Sequence, residues 1–353
     1  MSTTRQLLDY CLTTARLSFP KGGAPIYTLS DKLKSKVTDL NQLITEKYKE
    51  VLSIDRRDLR SFIETHIGQI KSLEKLDLVS LNGYQNKGGI LGVDGSNNKI
   101  GGAYPHFVEA YQALAKSTCY KDMPIVLADI YSPLYPEKEE SPLKNREAII
   151  DEKKNIRLAS LEVEAALEAI NQFKPYAILM DGGLIRYNIY AYDKWMELRE
   201  LCEERGILLV GVIKDIKTSI IGNKMKEINP GLGDSFYDRE ILFGKLKYGE
   251  MINIRDEVNK KLPEGYSSAF IRTSLAPTPI GMDIINSQKD YMEEMARLIF
   301  TLTPENSRGV PLWLDIVDKE VKISDEIMKA LLERYMDRDI YERFFISERD
   351  KRN

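Results

Sequence analysis

The sequence predicts an α/β fold, a mixed sheet flanked by helices. Two apolar segments, residues 90–93 and 176–180, are each followed by Asp-Gly, a pattern typical of strands that lead into turns. Helix-like spacing at residues 144–173 and 193–204 alternates with these segments and with a third apolar segment at 207–213. Strands that alternate with helices favour an open α/β sheet.

The chain is predicted to contain three regions. Residues 1–85 have helical spacing without strand alternation and are interpreted as a helical N-terminal region. Residues 86–340 contain the predicted sheet, with an elaborated connection at about 220–265, and residues 341–353 form a charged C-terminal tail. Within the second region, residues 90–104 are interpreted as two short strands joined by a polar turn.

Composition excludes several classes of protein. The 353 residues, 43% of them hydrophobic, allow a folded enzyme, whereas a net charge of −3 argues against a protein that coats nucleic acid through excess Lys and Arg. Three cysteines without a C-x-x-C pair suggest neither disulfides nor structural zinc. With no apolar signal region and no stretch of membrane length, we expect a cytoplasmic protein.

Asp94 and Asp181 each follow an apolar predicted strand and precede glycine. An ionised carboxylate in such surroundings is costly unless it is paired or binds a metal ion. If the two strands are neighbours in an open α/β sheet, their carboxylates meet where ligands usually bind. Two independent Asp-Gly turns are the alternative interpretation. Asp129, also at a predicted strand end, is a rival acid.

Glu162 is predicted to point inward from a helix. At about 100° per residue, one apolar stripe is formed by Leu158, Leu161, Ala165, Ala169 and Phe173. Glu162 falls inside this stripe, whereas Glu164 lies on the opposite face. An inward glutamate beside two aspartates is explained if all three bind a divalent metal, and the alternative is a cationic partner such as Arg146 or Lys217.

This set of acids indicates phosphodiester hydrolysis. Carboxylate oxygens suit Mg²⁺ or Mn²⁺ rather than zinc, and two such ions about 4 Å apart would stabilise both oxygens of a phosphoryl transfer. An aspartate on a strand, a glutamate on a helix and an aspartate on a later strand resemble the order of acids in ribonuclease-H-like nucleases. The sequence lacks the phosphate loop G-x-x-x-x-G-K-[ST], which disfavours a P-loop ATPase.

Short motifs follow one another in a specific order. They are Val93-Asp-Gly-Ser, Arg157-x-x-x-Leu-Glu162, Leu179-Met-Asp181-Gly-Gly-Leu, Gly211-Val-Ile-Lys214-Asp-Ile-Lys-Thr-Ser219, Asp238-Arg-Glu-Ile-Leu and Lys247-Tyr-Gly-Glu250. With these motifs the chain resembles the NurA nucleases over about residues 85–335. The resemblance implies a ribonuclease-H-like core and a manganese- or magnesium-dependent DNA nuclease, a 5′-3′ exonuclease and/or single-strand endonuclease. It also implies a homodimer that works with the hexameric ATPase HerA in DNA end processing or repair.

The resemblance further implies individual roles. The metal carboxylates would be Asp94, Glu162 and Asp181. Lys214 would lie near the scissile phosphate, or would instead be a surface residue at a strand end. The family often has a histidine after a proline-led segment, but the segment that starts at Pro311 has none, and Asp318 occupies that place. Asp318 is therefore expected to be the fourth ligand, with Asp315 as the alternative.

Two other functions are compatible with these residues: a noncatalytic scaffold or partner of an ATPase, and a metal-dependent phosphatase acting on a small substrate. The intact acid triad speaks against the scaffold. Contact with DNA would need a local basic path, since the net charge is negative. Its predicted members are Lys214, Lys217, Lys224, Lys226, Lys245 and Lys247. The alternative is a solvated lysine-rich surface.

Overall fold

The structure is a computed structural model that describes residues 31–135, 146–231 and 236–346. Within these residues the chain forms a nine-stranded mixed sheet flanked by helices, which confirms the predicted fold class. The strands are β1 (Gly68–Ser72), β2 (Ile90–Gly101), β3 (Phe107–Ser117), β4 (Ile125–Tyr131), β5 (Ala177–Asp181), β6 (Leu208–Ile213), β7 (Glu250–Ile254), β8 (Tyr266–Ile271) and β9 (Ile280–Ile285).

Helices connect and cover these strands. In chain order they are α1 (Asp31–Lys47), α2 (Lys49–Ser53), α3 (Arg56–His66), α4 (Leu78–Asn86), α5 (Arg146–Phe173), α6 (Ile185–Tyr190), α7 (Tyr192–Arg205), α8 (Ile220–Ile228), α9 (Asp238–Leu242), α10 (Met292–Leu302), α11 (Leu312–Val321), α12 (Asp325–Tyr335) and α13 (Arg338–Phe344). Short 3-10 helices lie at Asp256–Val258, Leu262–Glu264 and Asn286–Tyr291. No helix among the described residues combines the length and the apolar character that a bilayer span requires.

The sheet places two predicted acids at one level. Its strand order is β1-β7-β8-β9-β6-β5-β2-β3-β4, in which β2, β5 and β6 run parallel and the other pairs antiparallel. The parallel pairing of β2 with β5 ends where Val93 lies opposite Met180. Asp94 and Asp181 are the next residues of the two strands, so both follow the last paired position.

The predicted polar turn within residues 90–104 is wrong, because β2 continues through it as a single strand. β2 pairs antiparallel with β3 over its whole length beyond Ile90. Its polar side chains have partners in the fold: the Asn97 amide donates to Glu109 Oε1 at 2.7 Å, and the Asn98 amide donates to the Ile323 carbonyl at 3.0 Å. The polar composition of this stretch suggested a turn, but its polar side chains instead form contacts with other elements of the fold.

The N-terminal region contains more than helices. One compact unit ends at Ser53 and a second begins at Ile54. The second includes β1, which lies within the stretch interpreted as helical and pairs antiparallel with β7. A Cβ at Gly68 would collide with the backbone of Asn253, so glycine permits this close pairing. The predicted boundary near residue 85 stays a prediction.

The two faces of the sheet are covered by different helices. On one face, α5 packs against β2, β3 and β4, and its apolar residues join a core that includes Met180 and Trp195. On the other face, α11 packs against β2 and β3, and a second core includes Leu179 and Leu314. Asp94 and Asp181 therefore lie in a sheet whose two faces are both buried.

A buried ion pair anchors the turn after Asp181. Asp283 of β9 is fully buried, and both of its carboxylate oxygens accept from Lys261 Nζ at 2.7 Å. The same carboxylate accepts from Ser268 Oγ at 2.8 Å and from the backbone N–H of Leu184 at 3.3 Å. Because Leu184 ends the Asp-Gly-Gly-Leu motif, this pair holds the turn that carries Asp181.

Loss of the Asp283 charge is expected to be strongly destabilising. D283N keeps the shape of the side chain but leaves Lys261 largely buried without its counter-charge, which costs about 3–5 kcal/mol of unfolding free energy. D256N is the matched control, since it removes the half-exposed pair with Lys289, a change worth about 0–1 kcal/mol. Urea unfolding of both variants measures the difference. Equal losses of unfolding free energy in D283N and D256N would contradict the assigned role of Asp283.

Candidate active site

Asp94 and Asp181 project from the same face of the sheet. Side chains two residues apart on a strand share a face. A side chain at Gly92 would meet Leu314 of α11, which assigns Gly92 and thus Asp94 to the α11 face. Leu179 belongs to the same core as Leu314, which assigns Asp181 to that face as well.

Helix α11 brings a third carboxylate to this place. One oxygen from each of Asp94, Asp181 and Asp318 lies within 4.8 Å of the others. Asp94 is buried, whereas Asp181 and Asp318 are half-buried. Asp315, the predicted alternative to Asp318, lies outside this group and accepts from Arg308 Nη2 at 2.7 Å.

Two cations hold the outer side of the group. Lys214, the residue after β6, pairs through Nζ with Asp181 Oδ2 and lies 3.4 Å from Asp318 Oδ1. Arg308 Nη2 lies 3.1 Å from the other oxygen of Asp318. The Lys214 side chain is 24% exposed, so it remains accessible from solvent while it is bound to the acids. Its predicted position at a strand end is thus also a position within the site.

Burial and charge perturb the ionisation of these groups. Burial, followed by the charges of Asp181 and Glu162, raises the pKa of Asp94 far above its usual range, and Lys214 opposes this only in part. Burial alone would raise the pKa of Asp318, but Lys214 and Arg308 outweigh it and lower that pKa. Burial would lower the pKa of Lys214, yet the surrounding aspartates raise it. The site therefore repels its own buried carboxylate and favours a bound cation.

Glu162 approaches β2 from the opposite face of the sheet. Its side chain is 1% exposed, while that of Glu164 is half-exposed and pairs with Lys194, in accord with the helical periodicity. A Cβ at Gly95 would lie 2.5 Å from Glu162 Oε1, so glycine after Asp94 permits this approach. Glu162 lies outside the group of three aspartates because it comes from α5 rather than from the α11 face.

Glu162 has partners that sequence reasoning missed. Its Oε2 pairs with Arg186 Nη2 and accepts from the Tyr187 hydroxyl at 2.6 Å. Of the predicted alternatives, Lys217 is not among these partners, and the side chain of Arg146 lies outside the described part of the chain. Arg186 and Tyr187 follow the Asp181 motif closely, but the turn into α6 that directs them at α5 left no periodic signal. Arg308, the partner of Asp318, was also missed, because it lies in the connection between α10 and α11, where the sequence has no periodic pattern.

Other predicted candidates lie elsewhere. Asp129, the rival acid, pairs with Arg157 and is outside the group of three aspartates. Of the predicted basic path, Lys224 pairs with Glu227, and Lys245 Nζ donates to the carbonyl of Ile54. These two lysines therefore have partners within the chain.

The donor set fits a hard divalent cation. The three clustered side chains are all carboxylates, and the two histidines of the chain, His66 and His106, are outside the group. Oxygen-only sets suit Mg²⁺ or Mn²⁺ rather than zinc. A cation bound between the aspartates would also oppose the burial and the repulsion that together raise the pKa of Asp94.

A family model for the NurA domain matches residues 88–323, more than half of the chain. The chain belongs to the NurA family. The matched range contains every acid of the site as well as Lys214. The resemblance predicted from short motifs is confirmed, and family membership supports a nuclease.

Comparison with one solved structure that has a TM-score above 0.5 agrees with this fold. The crystal structure of the NurA nuclease from Sulfolobus solfataricus is 13% identical with a TM-score of 0.53, and the match covers 87% of this chain and 96% of that chain. A crystal structure of NurA with manganese is 13% identical with a TM-score of 0.45, covering 87% and 99%. An endonuclease V from Bacillus subtilis is 15% identical with a TM-score of 0.38, covering 80% and 96%. A comparison with curated proteins gave no match.

Replacing Asp94 with Asn is expected to stabilise the protein in the absence of metal. The folded state raises the pKa of Asp94 from 3.8 to about 9, so between these values it binds more protons than the unfolded state. The free energy of unfolding therefore falls as pH rises through this window, and D94N removes that penalty. We expect a Tm gain of roughly 2–4 °C at about pH 8 in EDTA, the shift that about 1 kcal/mol produces in a mid-sized domain.

Thermal unfolding in EDTA and in Mn²⁺ tests this expectation. The wild-type protein should gain stability from Mn²⁺, whereas D94N should not, because ligand binding stabilises only a competent site. D129N, which alters an aspartate outside the group, should retain the response to Mn²⁺. A lower Tm for D94N in EDTA would show that repulsion at Asp94 is not a net cost to the fold.

Proposed function

We propose that this NurA-family chain is a divalent-metal-dependent deoxyribonuclease that hydrolyses phosphodiester bonds. The supporting observation is the convergence of Asp94, Asp181 and Asp318, with Lys214 beside them, where the parallel pairing of β2 and β5 ends. Open α/β sheets usually bind ligands near the carboxyl ends of their parallel strands, and this group lies where the parallel pairing ends.

Each residue of the site has a distinct proposed role. Asp94, Asp181 and Asp318 hold Mn²⁺ or Mg²⁺, and Glu162 contributes an oxygen from the other face. When bound, the ion supplies Lewis acidity at the phosphate and makes a water molecule more acidic. Lys214, already placed by two of the aspartates, offsets charge on the scissile phosphate.

The finer proposal concerns substrate and partners. We propose that the substrate is DNA, cut as a 5′-3′ exonuclease and/or a single-strand endonuclease during end processing or repair. The partner, as the resemblance implies, is a HerA-type hexameric ATPase, and it would supply any ATP-driven movement along DNA because the chain has no phosphate loop. The protein acts as a homodimer in the cytoplasm. Family membership supports these assignments.

Cleavage of end-labelled DNA tests the nuclease. Single- and double-stranded substrates are incubated with Mn²⁺, Mg²⁺ or EDTA, with and without the HerA-type ATPase, and the label position gives polarity. We expect metal-dependent cleavage that falls by more than about 100-fold in D94A, because lost charge stabilisation of about 3 kcal/mol gives this factor. D129A is the matched control and should cut normally.

Two outcomes would favour other functions. If DNA stays intact under every condition but a phosphate monoester is hydrolysed in a metal-dependent manner, the chain is a phosphatase for small substrates. If neither substrate reacts, even with the ATPase present, the chain is a noncatalytic partner. Equal loss of cleavage in D94A and D129A would point to a general defect in folding.

The ligand role of Asp318 has its own test. Asp315 and Asp318 both accept from Arg308 and lie on one helix, but only Asp318 belongs to the group of three aspartates. We expect D318N to weaken Mn²⁺ binding by at least about tenfold, since a ligand is lost, and D315N to leave it within about twofold. Isothermal titration with Mn²⁺ measures both. Weaker binding by D315N than by D318N would reverse the assignment.

A further inference from the structure

Glu162 divides its two carboxylate oxygens between different surroundings. Oε2 pairs with Arg186 Nη2 and accepts from the Tyr187 hydroxyl. Oε1 faces β2, because a Cβ at Gly95 would lie 2.5 Å from it. Gly95 directly follows Asp94, so one oxygen is held by side chains of α6 while the other lies against β2 beside Asp94, close enough for the charge of Glu162 to act on that carboxyl.

The two residues that hold Oε2 are themselves fixed by the core. The Arg186 guanidinium lies 4.7 Å from the centroid of the Tyr187 ring and donates to its hydroxyl at 3.0 Å. The Tyr187 ring stacks on Trp195 with centroids 5.1 Å apart, and Trp195 Nε1 donates to the Tyr266 hydroxyl at 2.7 Å. Tyr187, Trp195 and Tyr266 are fully buried. This buried aromatic stack therefore supports the two residues that hold Glu162, Arg186 and Tyr187.

The position of Arg186 carries an energetic cost that a surface ion pair does not have. Its Nε is buried and has no hydrogen-bond partner among the described residues, a cost that a solvated arginine would avoid. Its side chain is 32% exposed, whereas that of Glu162 is 1% exposed. A buried carboxylate without a cation is strongly disfavoured, so the pair makes an ionised Glu162 tolerable at this position.

We propose that Arg186, together with Tyr187, is a positioning residue that fixes Glu162 Oε2 so that Oε1 is presented to the divalent cation of the site. This inference rests on the proposed function, since it needs a metal ion at Asp94, Asp181 and Asp318. Groups that hydrogen-bond a metal-ligating side chain orient it, and their loss typically costs about 10–100-fold in metal affinity.

A different role makes the opposite prediction. If Arg186 only occupies the carboxylate and competes with the ion, its removal would free Glu162, take one positive charge from the site and tighten metal binding. If Arg186 only supports folding, its removal would change stability and leave metal affinity as it is. The sign of the change in affinity therefore decides between the roles.

Titration of the full-length protein with Mn²⁺ alone, by calorimetry and by electron paramagnetic resonance of the free ion, tests the proposal. We expect R186Q to bind Mn²⁺ about 10–100-fold more weakly and R186K to recover part of the affinity. Y187F should show a smaller loss, because it removes one hydrogen bond and keeps the aromatic stack. R157Q is the matched control, since Arg157 lies on α5 and pairs with Asp129 outside the group, and its Mn²⁺ affinity should equal that of the wild type.

Unchanged or tighter Mn²⁺ binding by R186Q would overturn the proposal. If R186Q fails to fold, as judged by its thermal unfolding, R186K and Y187F decide, and wild-type affinity in both would overturn it. Failure of the proposed function looks different, because the wild-type protein would then neither bind Mn²⁺ nor cut DNA. Wild-type binding and cleavage with an unaltered R186Q would reject the positioning role alone.

Discussion

Mutual repulsion among acidic side chains where the parallel pairing of β2 and β5 ends is the constraint on which the site depends. Asp94, Asp181 and Asp318 converge within 4.8 Å, and Asp94 is also buried. Such a cluster is unfavourable in a fold unless cations offset it. Lys214 and Arg308 do so from the solvent side of the α11 face. They offset the repulsion in part, and the remaining negative charge is what a divalent ion would neutralise.

The sheet fixes the positions of the acids in this unfavourable cluster. Parallel pairing brings two acids to one level, and strand alternation directs both toward α11. The buried pair of Asp283 with Lys261 holds the turn after Asp181, so a costly ion pair away from the acids serves their placement. On the opposite face, Arg186 and Tyr187 hold Glu162 by an ion pair and a hydrogen bond. The acids of the two faces therefore pair with different cations, Lys214 and Arg308 on one face and Arg186 on the other.

Periodicity predicted much of this arrangement. The alternation of apolar strands and helices gave the fold class, and the helical wheel of α5 correctly placed Glu162 inside and Glu164 outside. Local composition misled where polar residues have partners distant in the chain: β2 passes through a predicted turn because β3 and the segment before α12 bind its polar side chains. β1 was missed because its pairing with β7 joins segments far apart in sequence.

The sequence by itself determined which acids are candidates and that Glu162 faces inward while Glu164 faces outward, because the helical period is a local property of the chain. Only the tertiary structure decided which acids meet. Asp318 joins the aspartates and Asp315 does not, although the two lie on the same helix. The cations that attend the acids were likewise decided by long-range packing, since ion pairs form between elements whose relative positions no local pattern records.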